Sequence, residues 1–357
     1  MSTTVQTLFI KDHSNHSLEY YISSQQALSS LPGVCQLTAS KIAVSINILW
    51  ANEGQSKVET LADMSITDDQ IQPELVVFSD IPYALLIKLT QECHLSINRL
   101  NTINHRNNLI SYRFAVNVDN VKKASKLLAQ FTLANKIEAA LLVNAPQLKR
   151  PGLLVMDMDS TTIEIECIDE IAVLAGVGEQ VAAVTELAML GQLDFAQSLQ
   201  QRVATLAGSS ASILEEVAKN IPLMPGLTTL IKELKQHQWR IAIASGGFTY
   251  FAEHLEEMLK LDASFANQLE IKAGKLTGKV LGPVIDAQAK ADSLAILSAK
   301  FSIAKEQTVA MGDGANDLVM MAAAYLGVAY HAKPIVLAQA DTSINHSGLD
   351  CLLHWLT

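Results

Sequence analysis

The second half of the chain is predicted to form an α/β domain built on a parallel sheet. Two observations predict this class: short apolar stretches recur as strands, and longer helical stretches separate them. The strands are LLVMDMD (153–159), RIAIASGG (240–247), QTVAMGDG (307–314) and LGVAY (326–330). Three of them end in the polar sequences DMD, SGG and GDG. Because ligands of such folds bind at the carboxyl ends of the strands, we expect a functional site there.

Ahead of this domain, residues 73–148 are predicted to form a smaller α+β domain. Apolar spacing predicts strands at 73–80, 109–118 and 137–144, and helices at 81–100 and 121–136. The order resembles the βαββαβ pattern of the small regulatory ACT domains. The alternative is an ordinary α+β domain that binds no ligand.

The remaining N-terminal residues, 1–72, form a segment of uncertain fold with one strand-like stretch at 41–51. The stretch APQLKRPG (145–152), with two prolines and a glycine, is a plausible boundary. The predicted domains are therefore 1–72, 73–148 and 149–357.

Composition excludes several classes of protein. Hydrophobic residues make up 49% of the chain and charged residues 17%, which excludes wholesale disorder. Residues 151–357 carry 13 basic and 24 acidic side chains, which argues against binding to nucleic acid. The four cysteines form no CxxC pair and suit a reducing compartment. The sequence shows no signal peptide and no long apolar span, so we expect a cytoplasmic protein.

Two aspartates, Asp157 and Asp159, end the first strand of the second half. Their spacing brings both carboxylates to one pocket, where mutual repulsion favours protonation of one of them unless a cation neutralises the pair. This pattern suits a nucleophile beside a general acid/base, or a metal site. An Asp-rich turn that caps the next helix is the alternative.

The other polar strand ends are less specific when each is considered alone. Ser245, Gly246 and Gly247 offer a hydroxyl and exposed N–H groups to an anion, although SGG is also a common turn. Lys290, on a predicted helix, would by itself be interpreted as a solvated side chain. The sequence GDGANDLVM (312–320) places Asp313, Asn316 and Asp317 together, an oxygen-rich set typical of Mg²⁺, although Asp317 would also suit a helix start.

Together and in this order, DxDST, SGG, Lys and GDGxND resemble the four motifs of the haloacid dehalogenase-like phosphatase superfamily, over residues 153 to about 340. The resemblance implies that Asp157 is the nucleophile and that Asp159 is the general acid and base. It implies Mg²⁺ held by Asp157, the Asp159 backbone carbonyl and Asp313. It implies that the phosphate is held by Ser245, Gly246, Gly247, Lys290 and Asn316. Asp317 would lie behind these residues.

The helical span at about 165–222 corresponds to the cap of that superfamily. Its sequences ECIDEIA (166–172) and AMLGQLDFAQSLQQRVATL (188–206) resemble the phosphoserine phosphatase family. The resemblance implies that Glu166 binds an ammonium and Arg202 a carboxylate, with Met189 and Phe195 as pocket walls. Alternatively, Arg202 is a surface helix residue, Phe195 is ordinary core and Glu166 is a charge on a helix face. Met158 departs from the Phe of many relatives and is expected to be core.

The expected activity is Mg²⁺-dependent hydrolysis of O-phospho-L-serine, the final step of serine biosynthesis. One alternative is another small phosphorylated substrate of the same fold, such as phosphothreonine. A second is a receiver-type signalling module, which needs neither Asp159 nor a cap. The N-terminal domain is expected to form a homodimer and to bind a regulatory amino acid, or to be a passive extension.

Overall fold

The computed structural model describes residues 7–10, 45–50, 56–61 and 72–357. The chain divides into two compact units, one of residues 1–145 with 353–355 and the other of residues 146–352 with 356–357. Among the helices described, none is long and apolar enough to cross a membrane. The strand expected at 41–51 is present as Ser45–Trp50, and the rest of that stretch lies outside the described residues.

The first unit contains one antiparallel sheet of seven described strands in the order β1-β3-β2-β5-β6-β4-β7. Its strands are β1 (Thr7–Ile10), β2 (Ser45–Trp50), β3 (Ser56–Leu61), β4 (Glu74–Phe78), β5 (Ser96–Arg106), β6 (Leu109–Asn117) and β7 (Glu138–Leu142). Helix α1 (Tyr83–Glu92) follows β4 and helix α2 (Val121–Asn135) follows β6. From β4 onward the element order is therefore βαββαβ, the order of the resembling ACT domains. Apolar spacing predicts all of these elements except β5.

The helix predicted at 81–100 is wrong beyond Glu92. His94 adopts the left-handed conformation with φ 54°, which ends the helix, and β5 begins at Ser96. Leu95 and Ile97 are buried, so the apolar residues of this stretch also satisfy the alternation of a strand. Short apolar runs fit both periods, and pairing with β6 decides in favour of the strand.

Residues 353–355, near the end of the chain, belong to the first unit. Arg113, which is 3% exposed, forms an ion pair with Glu74 and donates to the backbone oxygen of His354 at 2.9 Å. The His354 ring is fully buried, its Nδ1 lies 2.8 Å from the Ser111 hydroxyl, and it contacts Phe78 edge-on. Burial, followed by the Arg106 charge, lowers the pKa of His354 to about 4.

This histidine predicts an acid-sensitive first unit. The unfolded chain binds a proton near pH 6.5 and the folded chain only near pH 4, so stability is complete above pH 6.5 and decreases as the pH falls towards 4. The loss amounts to about 3 kcal/mol. We expect His354→Gln to flatten the pH dependence of the unfolding temperature between pH 7 and 4.5, whereas the exposed His331→Gln should not. Equal slopes for the wild type and His354→Gln would contradict the assignment.

The second unit contains the predicted parallel sheet, in the order β11-β10-β9-β8-β12-β13-β14. Its strands are β8 (Leu153–Met156), β9 (Arg240–Phe248), β10 (Ala263–Lys272), β11 (Lys275–Leu281), β12 (Thr308–Gly312), β13 (Leu326–Tyr330) and β14 (Thr342–Ile344). All neighbours run parallel except the hairpin β10–β11. The four predicted strands are confirmed, and β8 lies at the centre.

Four helices follow β8 in the span expected to be the cap: α3 (Cys167–Leu174), α4 (Gly178–Met189), α5 (Phe195–Thr205) and α6 (Ser212–Lys219). The helices after the cap are α7 (Leu227–Gln236), α8 (Thr249–Leu259), α9 (Ala287–Phe301), α10 (Leu318–Ala323) and α11 (Pro334–Leu337), followed by a C-terminal turn at Leu352–Trp355. Successive β8 residues, Leu153 to Met156, are all 0% exposed. Burial on both faces explains why this strand is uniformly apolar and why its polar ligands begin only at its carboxyl end.

Candidate active site

The carboxyl end of β8 turns sharply at Asp157. Its N–H donates to the backbone oxygen of Met311 on β12, which continues the sheet pairing by one residue. One carboxylate oxygen accepts the Met158 N–H at 2.7 Å, and the Thr162 hydroxyl donates to the Asp157 backbone oxygen at 2.5 Å. Met158 is fully buried, as expected for a core residue. The turn therefore holds the Asp157 carboxylate, 6% exposed, at the edge of the sheet.

Asp159 lies in the same turn in a different electrostatic environment. Burial first, and then the charges of Glu166 and Asp157, raise its pKa to about 8. The Cys167 N–H at the start of helix α3 donates to one of its oxygens at 3.3 Å and partly opposes this rise. Asp159 therefore carries a proton at neutral pH, which is the state a general acid needs.

The Ser245–Gly247 turn at the end of β9 lies against Asp159. The Gly247 N–H donates to the Ser245 hydroxyl oxygen at 2.9 Å. A Cβ at Gly247 would lie 2.8 Å from an Asp159 carboxylate oxygen, and one at Gly246 would lie 2.5 Å from the Phe195 ring. Only glycine fits at these two positions. Because they carry no side chains, the backbone lies close to Asp159 at Gly247 and close to Phe195 of the cap at Gly246.

Lys290 lies between two carboxylates and is not a solvated side chain. Its ammonium is 2.8 Å from an Asp157 oxygen and 2.8 Å from an Asp317 oxygen. Burial alone would lower its pKa, but the two carboxylates raise it above the ordinary value. Lys290 is therefore a positive charge beside Asp157 that the two carboxylates stabilise.

A cluster of carboxylates lies beside this lysine. One oxygen from each of Asp157, Asp313 and Asp317 lies within 4.8 Å of the others. Asp313 accepts the Thr161 hydroxyl at 3.0 Å, and burial together with Asp157 raises its pKa to about 6. Burial and the neighbouring Asp157 charge both disfavour an ionised Asp313, and hard oxygen donors at this spacing suit a hard divalent cation. The donor set therefore fits a metal ion.

The loop after β12 is shaped around Asp317. The Gly314 N–H donates to an Asp317 oxygen at 3.0 Å, and a Cβ at Gly312 would overlap the Asp317 side chain. Asn316 lies beside Gly314 in the same loop. The two glycines of the GDG sequence thus permit a tight loop that turns Asp317 inward to Lys290.

The predicted cap residues differ in their placement. Arg202 on helix α5 has a buried Nε atom that finds no hydrogen-bond partner among the described residues. Glu166 is an exposed residue, yet partial burial of its carboxyl raises its pKa, and it accepts the Ser160 hydroxyl at 2.8 Å. The charge of Arg202 acts on Glu166, so these two residues lie near each other. Phe195 lies against Gly246, whereas Met189 is 74% exposed and its role stays a prediction.

Two hydroxyl residues of this turn were not identified from the sequence. Thr161 donates to Asp313, and Thr162 donates to the Asp157 backbone oxygen. Both follow the aspartates directly in DMDSTT, so the run of hydroxyl residues was the available signal.

The parallel sheet, the acid turn after β8 and the inserted cap define a haloacid dehalogenase-like hydrolase, and that family matches residues 152–324. The phosphoserine phosphatase of Vibrio cholerae is 56% identical over 216 residues, which are 60% of this chain and 66% of that relative, just under two thirds. The phosphoserine phosphatase of Haemophilus influenzae is 54% identical over 224 residues, 63% of this chain and 71% of that relative. The chain belongs to the phosphoserine phosphatase family.

Solved structures agree with this assignment. A probable phosphoserine phosphatase from Vibrio cholerae, in unliganded form, superimposes with a TM-score of 0.66 at 44% identity, over 79% of this chain and 86% of that one. A substrate-bound phosphoserine phosphatase complex gives a TM-score of 0.55 at 41% identity, over 58% of this chain and 99% of that one.

Proposed function

We propose that the protein hydrolyses O-phospho-L-serine to L-serine and phosphate through an aspartyl-phosphate. One observation carries the proposal. Two carboxylates of one turn lie in different environments: Asp157 forms an ion pair with Lys290, whereas burial raises the pKa of Asp159 to about 8. This pair provides a nucleophile and an acid at neutral pH, which is the combination that cleavage of a phosphate ester requires.

In the first step an Asp157 oxygen attacks phosphorus and the bond from phosphorus to the serine oxygen breaks. The departing oxygen takes the Asp159 proton, because an unprotonated alkoxide is a poor leaving group. In the second step Asp159, now a carboxylate, removes a proton from water. The resulting hydroxide attacks phosphorus, the bond to Asp157 breaks, and phosphate leaves. Both residues then return to their initial states.

The residues that fit a metal ion form part of the same proposal. Asp157, the Asp159 backbone carbonyl and Asp313 would hold Mg²⁺, with Asp317 behind them against Lys290. The ion would neutralise the negative charge between the carboxylate and the phosphate. The Ser245 hydroxyl, the N–H groups of Gly246 and Gly247, Lys290 and Asn316 would hold the phosphoryl oxygens.

Substrate choice is assigned to the cap. Arg202 suits a carboxylate and Glu166 an ammonium, so the two together match the charges of an amino acid. The Nε atom of Arg202 is buried without a partner, and a buried donor of this kind favours a ligand that accepts its hydrogen bond. Phe195 against Gly246, together with Met189, would close the pocket over the substrate.

A phosphate-release screen over phosphorylated metabolites tests the proposal. Phosphoserine, phosphothreonine and simple sugar phosphates are compared with Mg²⁺ present, over many turnovers. We expect phosphoserine to give the highest kcat/KM. A preference for phosphothreonine would favour the alternative of another small phosphorylated substrate. A single turnover without continued phosphate release would indicate a receiver-type module.

Replacing Arg202 by Ala tests the substrate assignment separately from the chemistry. We expect kcat/KM for phosphoserine to fall by about 100-fold, since a buried charged hydrogen bond is worth roughly 2–5 kcal/mol. Hydrolysis of p-nitrophenyl phosphate, which has no amino-acid charges, should change little. Arg240→Ala, which removes an arginine paired with Asp262 and 49% exposed, is the control. Unchanged phosphoserine kinetics in Arg202→Ala would refute the assignment.

We also propose a regulatory role for the first unit, whose βαββαβ order and strand order β5-β6-β4-β7 support an ACT-like domain. It would pair with a second copy and bind an amino acid such as serine. Inhibition of the full chain by serine and its mass in sedimentation test this. A monomer that serine leaves unaffected would refute it. The free thiols of Cys93 and Cys167 support a reducing, cytoplasmic location. The proposed activity would serve there as the final step of serine biosynthesis.

A further inference from the structure

A buried asparagine bridges the two segments proposed to hold the phosphoryl group. Asn267 on β10 is 1% exposed and lies at a register irregularity opposite Phe248. Its Nδ2 donates to the backbone oxygen of Gly246 at 2.8 Å, and its Oδ1 accepts the Ile285 N–H at 2.8 Å. One partner lies in the Ser245–Gly247 turn and the other lies just before helix α9.

The two partners determine the orientation of the amide. A carbonyl oxygen requires a donor and an N–H requires an acceptor, so the nitrogen must face Gly246 and the oxygen must face Ile285. No other side chain of this size offers one donor and one acceptor in this arrangement, and a carboxylate offers acceptors only. The site is thus specific for an amide.

The Ile285 contact leads directly to Lys290. The next residue, Asp286, caps helix α9 by accepting the Ala289 N–H at 2.9 Å, and its backbone oxygen accepts the Lys290 N–H at 3.0 Å. The position of Ile285 therefore determines where the helix starts and where Lys290 leaves it. The Asn267 amide therefore links the backbone of Gly246 to the start of the helix that carries Lys290.

We propose that Asn267 is a positioning residue that sets the spacing between the Ser245–Gly247 turn and Lys290 for a phosphate dianion. The inference rests on the proposed function, since both segments are assigned to the phosphoryl group there. Donors stabilise an anion most when they are already in place, and a displacement of about 1 Å can cost up to 100-fold in rate. Asn267 itself would not contact the anion, because Gly246 lies between them.

The test compares phosphate affinity in folded variants. Asn267→Asp retains an acceptor for the Ile285 N–H but places an oxygen against the Gly246 carbonyl oxygen. Asn267→Ala removes both contacts without adding a charge. Binding of inorganic phosphate to the Mg²⁺-loaded full chain is measured by calorimetry. We expect both variants to bind phosphate roughly tenfold or more weakly, while the Mg²⁺ affinity changes by less than about twofold.

Gln307→Glu is the matched control. Gln307 is 3% exposed, its amide donates to the backbone oxygens of Gln147, Arg150 and Pro151, and it precedes β12 at the strand end opposite Asp313. The same change from amide to carboxylate should lower its unfolding temperature and leave phosphate affinity unchanged. Wild-type affinity in the Asn267 variants, or equal weakening in Gln307→Glu, would overturn the proposal.

A measurement on the unmodified protein keeps the test independent of variant folding. Phosphate should slow hydrogen exchange of the Ile285 N–H, because an occupied site holds both segments together. Unchanged exchange at saturating phosphate would count against the bridge. Both readouts use inorganic phosphate. A wild type that binds phosphate but does not hydrolyse phosphoserine would refute the proposed function and leave this inference unaffected.

Discussion

Replacing Asp157 by Asn is expected to abolish phosphate release, with a loss of about 10⁴-fold or more in kcat. An amide does not attack phosphorus, and it forms no aspartyl-phosphate. The fold should survive, because Lys290 keeps its ion pair with Asp317 and the carboxylate cluster loses one repelling charge. We therefore expect an inactive enzyme with an unfolding temperature near that of the wild type.

Two measurements check this result. Phosphate release from phosphoserine gives kcat, and mass spectrometry after acid quenching shows whether the chain gains a phosphoryl group. Asp292→Asn is the matched control, since Asp292 is exposed on helix α9 and contacts only Gln288 among the bonds described. A phosphorylated or active Asp157→Asn variant would disprove the assignment of the nucleophile.

Replacing Lys290 by Met is expected to reduce both activity and stability. The ammonium, 1% exposed, neutralises Asp157 and Asp317, and its removal leaves two buried carboxylates without a positive charge beside them. Breaking a buried ion pair in this way costs about 3–5 kcal/mol. The rate should fall about 10³-fold, because the charge that attracts and holds the phosphoryl group is also lost.

Urea unfolding with and without Mg²⁺ separates the two effects. A divalent cation at the carboxylates should recover part of the lost stability of Lys290→Met but not its activity. Lys300→Met on the same helix is the control, because that lysine is exposed and lies over the Phe301 ring. If Lys290→Met in metal-free buffer were as stable as the wild type, the ion pairs would not hold the site together.

The catalytic motifs were predictable because a parallel sheet brings the carboxyl ends of its strands to one edge. Asp157, Ser245 and Asp313 each follow a buried apolar strand, and parallel neighbours end at the same edge of a sheet. Apolar spacing before residue 145 likewise predicted strands β4, β6 and β7 and both helices, but not strand β5. The end of helix α1 was not, because the apolar residues after Glu92 fit a helix and a strand equally well until β6 pairs with them.

The sequence by itself determined four strands of the second unit, the residue types at their polar ends and the family, since these depend on local apolar patterns and on motif spacing. Only the tertiary structure decided the partners of Lys290, the amide bridge of Asn267 and the place of His354 in the first unit. Each of these joins residues far apart in the chain through one buried contact. Local sequence carries no signal for such a contact, because its energy arises only when packing excludes water from both partners.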